Sequence, residues 1–204
     1  MPNIEVIPNA AMSMGHNLSD GSAKRVIAVG RLDYQKGFDR LIQAWGIVQQ
    51  HETFKDWTLD IFGQGEWKEM LQNMIDKAGL NKHTHINKPT NAIGKEYANS
   101  SFIVMTSNYE GFGMVLVEAM ACGVPAIAFD CKCGPKDIIE DGINGLLVKD
   151  GDISGLAHAM VKLMDNDSLR LRLASNARRI TETYSEENVM GQWVSLFEEL
   201  AERR

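Results

Sequence analysis

Short apolar runs alternate with amphipathic stretches along most of the chain. Continuous apolar runs, rich in β-branched residues, predict buried strands at residues 25–29, 57–62, 83–87, 102–106, 126–129 and 145–148, and a further short strand at 4–7. Apolar residues at helical spacing predict helices from Phe38 onward and over 70–78, 114–121, 154–164, 168–179 and 185–203. The Gly-, Ser-, Asn- and Asp-containing segment 10–24 is typical of a loop.

This alternation of strands and helices predicts an α/β fold, a Rossmann-like parallel sheet with helices on both faces. In such sheets, ligands bind outside the carboxyl ends of the strands. Three predicted strand ends carry unusual residues, at 30–31, 63–65 and 108–113. We therefore expect these three segments to converge on one crevice.

Composition narrows the class of protein. The chain has 204 residues, of which 44% are hydrophobic and 24% charged, which excludes a disordered chain and fits one large domain or two small ones. The net charge of -6 argues against a broad nucleic-acid surface but allows a local anion site. Three cysteines cannot form a disulfide framework, and no segment is apolar enough to span a bilayer, so we expect a cytoplasmic protein.

The segment after the strand at 25–29 carries two cations close to a predicted helix start. Arg31 follows Gly30, and Lys36 lies five residues further on, beside the start of the helix at Phe38. Arginine can bind two oxygens at once, lysine supplies a point charge, and a helix start offers free N–H groups. The pattern fits a diphosphate site, although a surface arginine and a solvated lysine would give the same sequence.

A second element joins two carboxylates that are separated by seven residues. Glu110 precedes a Gly-Phe-Gly turn, and Glu118 lies within an apolar helical run. The glycines allow close approach of a ligand, and the amides at the helix start face an anion. A carboxylate in an apolar run needs donors, which the hydroxyls of a ribose would supply. An ordinary helix with one polar face is the alternative.

Taken together, these motifs resemble family 4 glycosyltransferases. The likeness rests on Gly30-Arg31-Leu32 with Lys36-Gly37, the element from Glu110 to Glu118, and the following segment 119–125. Those enzymes are retaining and have the two-lobed GT-B fold, and this chain resembles their C-terminal, donor-binding lobe from residue 4 to the last helix. Segment 134–145 further resembles bacterial members that build capsule, O-antigen (lipopolysaccharide) or lipid-linked oligosaccharides.

The resemblance implies a role for each matching position. Arg31 and Lys36 would neutralise the diphosphate leaving group, Glu110 would hold the transferred sugar, and Glu118 would bind the ribose. The donor site would be completed by Gly30, by the amides of Phe112, Gly113, Met114 and Val115, and by a base-facing loop of Asn87, Lys88 and Pro89. The resemblance implies a UDP-sugar substrate for a hexosyltransferase-type enzyme, with no metal and no cofactor.

The family's acceptor site and catalytic histidine lie in an N-terminal lobe that has no counterpart here. None of the five histidines matches that position. We therefore expect residues 1–204 to be a single donor-binding domain whose partner is the acceptor lobe of a longer parent. In the parent, residues 185–204 would cross to that lobe, and a membrane would be met only through the other lobe or a lipid-linked acceptor. A non-catalytic nucleotide-binding module, or an epimerase or phosphorylase of the same fold, is the alternative.

Four other motifs have ordinary structural explanations. Asp150-Gly151-Asp152 matches a metal motif but precedes a helix, where aspartate is a frequent N-cap. His83 and His85 lack a third ligand, and Cys131 and Cys133 lack a second cysteine pair, so neither pair predicts a metal site. Gly63-Gln64-Gly65 lacks the third glycine of a dinucleotide fingerprint and predicts a tight turn.

Overall fold

The structure, a computed structural model, describes residues 4–11 and 17–202. Its strands are β1 (Arg25–Val29), β2 (Thr58–Phe62), β3 (Thr84–Asn87), β4 (Phe102–Met105), β5 (Ala126–Asp130) and β6 (Gly145–Lys149). Its helices are α1 (Phe38–Val48), α2 (Lys68–Lys77), α3 (Ile93–Ala98), α4 (Met114–Ala121), α5 (Pro135–Ile138), α6 (Ile153–Asp165), α7 (Asp167–Ala177), α8 (Ile180–Tyr184) and α9 (Glu186–Glu202), with a 3-10 turn at Glu52–Phe54.

The six strands form one sheet in the order β3-β2-β1-β4-β5-β6, and all five pairings are parallel. The predicted Rossmann-like parallel sheet is therefore confirmed. The chain order reverses between β1 and β4, where Val26 pairs with Phe102 and Ile27 with Ile103. In this topology the crevice for a ligand opens beyond the carboxyl ends of the two strands that flank the reversal.

Helices cover both faces of the sheet because strand residues alternate between two apolar clusters. Val26 and Ala28 of β1 pack against Trp45 of α1 in one cluster, which α2 and α6 complete. Ile27 faces the opposite cluster, in which Met120 of α4 is fully buried. The sheet is thus dry on both sides, so a polar ligand can reach it only at a strand end.

The structure corrects several predicted elements. Residues 4–7 form no strand, and Ile4 and Val6 are exposed because no neighbouring strand pairs with this segment. The short helices α3, α5 and α8 were not predicted, since each has six residues or fewer and shows too little periodicity. Part of the predicted 10–24 loop, His16, and the predicted helix end at Arg203 lie outside the described residues.

The last helix carries an apolar stripe that the described part of the chain leaves largely uncovered. In α9 only Val189 is buried. The exposed apolar residues of this helix are Met190, Trp193, Val194, Phe197 and Leu200. Among the described residues, no helix is both long enough and apolar enough to cross a membrane.

Close contact between the start of α1 and the end of β4 requires a glycine at position 37. Gly37 has a φ of 59°, and a Cβ atom there would clash with the carbonyl oxygen of Thr106. The Thr106 hydroxyl donates to the carbonyl oxygen of Lys36 over 3.2 Å. This contact fixes the loop after β1 against the carboxyl end of β4.

We expect Gly37→Ala to lower the free energy of unfolding by about 3 kcal/mol, because it combines backbone strain with a clash. Gly79→Ala is the matched control, since Gly79 also has a positive φ, of 68°, but faces open space. Strain alone should cost the control about 1 kcal/mol. Urea unfolding measures both; equal losses in the two variants would contradict the close contact at Gly37.

Candidate functional site

Two loops meet where the chain order of the sheet reverses. The loop after β1 (residues 30–37) and the loop after β4 (residues 106–113) are joined by three hydrogen bonds. The Asn108 amide donates to the carbonyl oxygen of Gln35 over 2.8 Å, and the Asn108 side chain donates to that of Tyr34 over 2.5 Å. The Gln35 side chain donates to the Tyr109 carbonyl oxygen over 3.3 Å. The two loops therefore form one wall of the predicted crevice.

A shielded ion pair lies between these loops. Lys36 Nζ is 2.6 Å from Glu110 Oε1, and their side chains are 15% and 6% exposed. The Ser107 hydroxyl donates to the same carboxylate oxygen over 2.6 Å. Lys36 is therefore not the solvated surface lysine that the sequence left open, and both contacts leave Glu110 Oε2 unused.

Arg31 is held differently from Lys36. Its side chain is 69% exposed. Nη2 donates to Gln35 Oε1 over 2.7 Å, and Nε lies 3.2 Å from Asp33 Oδ2. These contacts keep the guanidinium beside the crevice while leaving much of it open to solvent.

Helix α4 begins at the same crevice, as predicted. Its N-cap, Gly113, has a φ of 104°, which favours glycine. Among the described residues, no protein acceptor meets the backbone amides of residues 112–115. The Phe112 ring is turned away, packing edge-on against Tyr184 with 5.3 Å between ring centroids. The helix start thus carries free donors and a partial positive charge near Lys36 and Glu110.

A cavity of about 370 Å³ lies on the other side of Arg31, and Glu118 lines it. Its other lining residues are Val29, Gly30, Arg31, Phe62, Gly63, Gln64, Pro89, Thr90 and Ile93. Burial raises the pKa of Glu118, and a hydrogen bond of 3.1 Å from the Tyr97 hydroxyl partly opposes the shift. The cavity therefore combines apolar walls with one carboxylate and one cation.

The predicted base-facing loop is placed unevenly around this cavity. Pro89 lines the cavity, Lys88 is exposed, and neither Lys88 nor Asn87 contributes to the lining. The Asn87 side chain instead donates to Asp60 Oδ1 over 2.7 Å. Asn87 therefore helps to hold the end of β3 in place.

The predicted site residues thus converge on one edge of the sheet, although nothing here tests their individual roles. Sequence reasoning missed Ser107, Gln35 and Tyr97, which hold Glu110, Arg31 and Glu118 respectively. Ser107 and Gln35 lie beside or within the motifs, so proximity to them was the available signal. Tyr97 gave none, because α3 was not predicted.

The four ordinary explanations agree with the structure. Asp152 caps α6 by accepting from the Gly155 amide over 2.8 Å, and Asp150 pairs with Arg40. Cys131 and Cys133 are free thiols. Among residues 4–11 and 17–202, no group of three or more His, Cys, Asp or Glu side chains is arranged to hold a metal ion. The segment 63–65 is the turn from β2 toward α2.

Comparison with known proteins identifies the class. Residues 13–180 match the family described as Glycosyl transferases group 1. Because this match covers most of the 204 residues, the chain belongs to that family. The parallel sheet and its helices are those of a GT-B glycosyltransferase lobe.

Relatives and solved structures give the same result. The amylovoran biosynthesis glycosyltransferase AmsD of Erwinia amylovora is 39% identical over 169 residues, 83% of this chain and 46% of that protein. Staphylococcus aureus TarM, crystallised with fondaparinux, alpha-GlcNAc-glycerol and UDP, matches with a TM-score of 0.82 and 31% identity, over 96% of this chain and 38% of that one.

The pneumococcal O-GlcNAc transferase GtfA, solved with UDP and GlcNAc, has a TM-score of 0.85 and 25% identity, over 98% of this chain and 40% of that one. The chain spans about half or less of the curated relatives that it matches.

We expect Lys36→Met to lower the free energy of unfolding by about 3 kcal/mol, because it leaves the Glu110 carboxylate shielded and without its cation. Glu110→Gln in the same chain should restore most of that loss. Lys55→Met, which breaks an exposed 4.0 Å pair with Glu52, is the control and should change stability little. Urea unfolding measures all three, and a double variant no more stable than Lys36→Met would contradict the pairing.

Proposed function

We propose that this chain is the nucleotide-sugar-binding half of a retaining, metal-independent glycosyltransferase that uses a UDP-sugar. The observation that carries the proposal is the meeting of the loops after β1 and β4, which brings two cations, two carboxylates and a free helix start to one crevice. The UDP-bound neighbours TarM and GtfA support uracil as the base.

The crevice suits a departing diphosphate. Glycosyl transfer leaves negative charge on the diphosphate as the sugar acquires oxocarbenium character, and preorganised positive charge stabilises that state. The open Arg31 would bind the diphosphate oxygens, and Lys36 would share its charge between the phosphate and Glu110. The amides of residues 112–115 would complete the anion site. With these groups in place, a metal ion is not needed to balance the charge.

The two glutamates would bind the two ends of the donor. Glu110 Oε2, which contacts neither Lys36 nor Ser107, would accept from a hydroxyl of the transferred sugar. Glu118 would accept from the ribose hydroxyls, with the base against the apolar walls of the cavity near Phe62 and Pro89.

The finer identity belongs to the longer parent. We propose a family 4, hexosyltransferase-type enzyme of bacterial surface polysaccharide synthesis, such as capsule or lipopolysaccharide, acting in the cytoplasm. The AmsD relative supports the polysaccharide setting. Its acceptor would bind to another lobe of the parent, to which residues 185–204 would cross, and the exposed stripe of α9 supports such a crossing.

Calorimetric titration with UDP, GDP and ADP at low salt tests the proposal. We expect UDP to bind more tightly than the other two nucleotides, with the same dissociation constant in magnesium and in EDTA. Binding that requires magnesium would overturn the charge-balance argument, and absence of binding by the folded chain would overturn the proposed function.

We expect Arg31→Ala to weaken UDP binding by about tenfold or more, because charged hydrogen bonds to the diphosphate are lost. In a parent enzyme the same change should lower turnover by on the order of 10²–10³. Arg172→Ala, on an exposed position of α7, is the matched control for charge. Equal UDP affinity in the two variants would remove Arg31 from the site.

A further inference from the structure

We propose that Tyr97 is a positioning residue that orients the Glu118 carboxylate toward the ribose of the nucleotide. The inference rests on the proposed function, since it assumes that Glu118 receives ribose hydroxyls. It adds a residue that no motif contains, because Tyr97 lies on α3 and lines neither the crevice nor the cavity.

The geometry joins a buried side chain to the cavity. Tyr97 has no exposed surface, and its hydroxyl donates to Glu118 Oε2 over 3.1 Å. Glu118 is partly exposed and lines the cavity. Holding one carboxylate oxygen from below limits rotation of the carboxylate and leaves Oε1 for a ligand. Without this donor the carboxylate would have to be ordered at the expense of binding free energy.

Helix α3 is too short to hold Tyr97 by itself, and a polar network fixes it. Arg25 of β1 binds Glu96 of α3 through Nη2–Oε2 over 2.8 Å and also donates to the Glu96 carbonyl oxygen. Arg25 Nε lies 2.7 Å from Asp60 of β2, which also accepts from Asn87. The network thus ties α3 to the floor of the sheet beside Tyr97.

Three titratable groups face Glu118 from the elements packed around it. They are Tyr97 from α3, Cys122 from the next turn of α4, and Arg31 across the cavity. Burial raises the pKa of Glu118, and the Tyr97 hydrogen bond lowers it again by favouring the ionised form. Burial also raises the pKa of Cys122 to about 11, so this thiol stays neutral near pH 7. Removing the Tyr97 hydroxyl should therefore raise the pKa of Glu118 further.

The test is the dissociation constant of UDP for wild type and Tyr97→Phe between pH 5 and pH 8. The ratio of the two constants at each pH cancels the titration of the UDP phosphate. We expect Tyr97→Phe to bind about threefold more weakly at pH 8 and about tenfold more weakly at pH 5. The ratio grows as pH falls because the variant loses the ionised Glu118 at a higher pH than the wild type does.

Two variants separate positioning from general damage. Thr84→Val removes a buried hydroxyl that has no partner, at the opposite end of β3, and should leave UDP binding unchanged. In a Glu118→Gln background, Tyr97→Phe should no longer change the pH dependence, since the titrating carboxylate is gone. A ratio that stays constant with pH, or an effect that survives in that background, would overturn the positioning role.

A measurement on the wild type needs no variant. In NMR titrations, the Glu118 carboxyl carbon and the Tyr97 ring carbon bearing the hydroxyl should shift with the same midpoint, above the ordinary glutamate value. Independent midpoints would overturn the inference while leaving UDP binding intact. Loss of UDP binding in the wild type itself would overturn the proposed function, and Tyr97's role with it.

Discussion

The pairing of Lys36 with Glu110 is the contact on which the site depends. It joins loops that are 74 positions apart in sequence and lie on either side of the point where the sheet reverses its order. Removing two ions from water is costly, so such a pair persists only when the surrounding structure compensates both charges. Here Ser107 supports the carboxylate, and Gly37 lets the lysine's loop lie against β4.

The two glutamates of the motif occupy contrasting environments eight positions apart. Glu110 is balanced by a cation before any ligand arrives, whereas Glu118 has a hydroxyl donor and a raised pKa. Desolvation alone would favour the neutral form of each carboxyl group. Burial with a cation fixes one charge permanently, and burial beside Tyr97 leaves the other sensitive to its surroundings.

The sequence predicted the six sheet strands and the convergence of their ends, because continuous apolar runs and glycine turns are local signals. It also predicted Arg31, Lys36 and both glutamates, which lie in short motifs. It could not predict the supporting contacts of Tyr97 or Asn87, since these depend on helix α3 and on a network between strands far apart in sequence. The strand expected at residues 4–7 was wrong because apolar residues alone do not supply a pairing partner.

The order of the strands also determines how the domain assembles. Among the described strands, β1 and β4 are the neighbours that are not consecutive in the chain, so each half-sheet can form from local pairings first. Closing the largest loop costs the most entropy, which makes the β1–β4 seam a late event in folding. A nucleotide held across that seam would favour the closed arrangement, so ligand and folding would be coupled at the centre of the sheet.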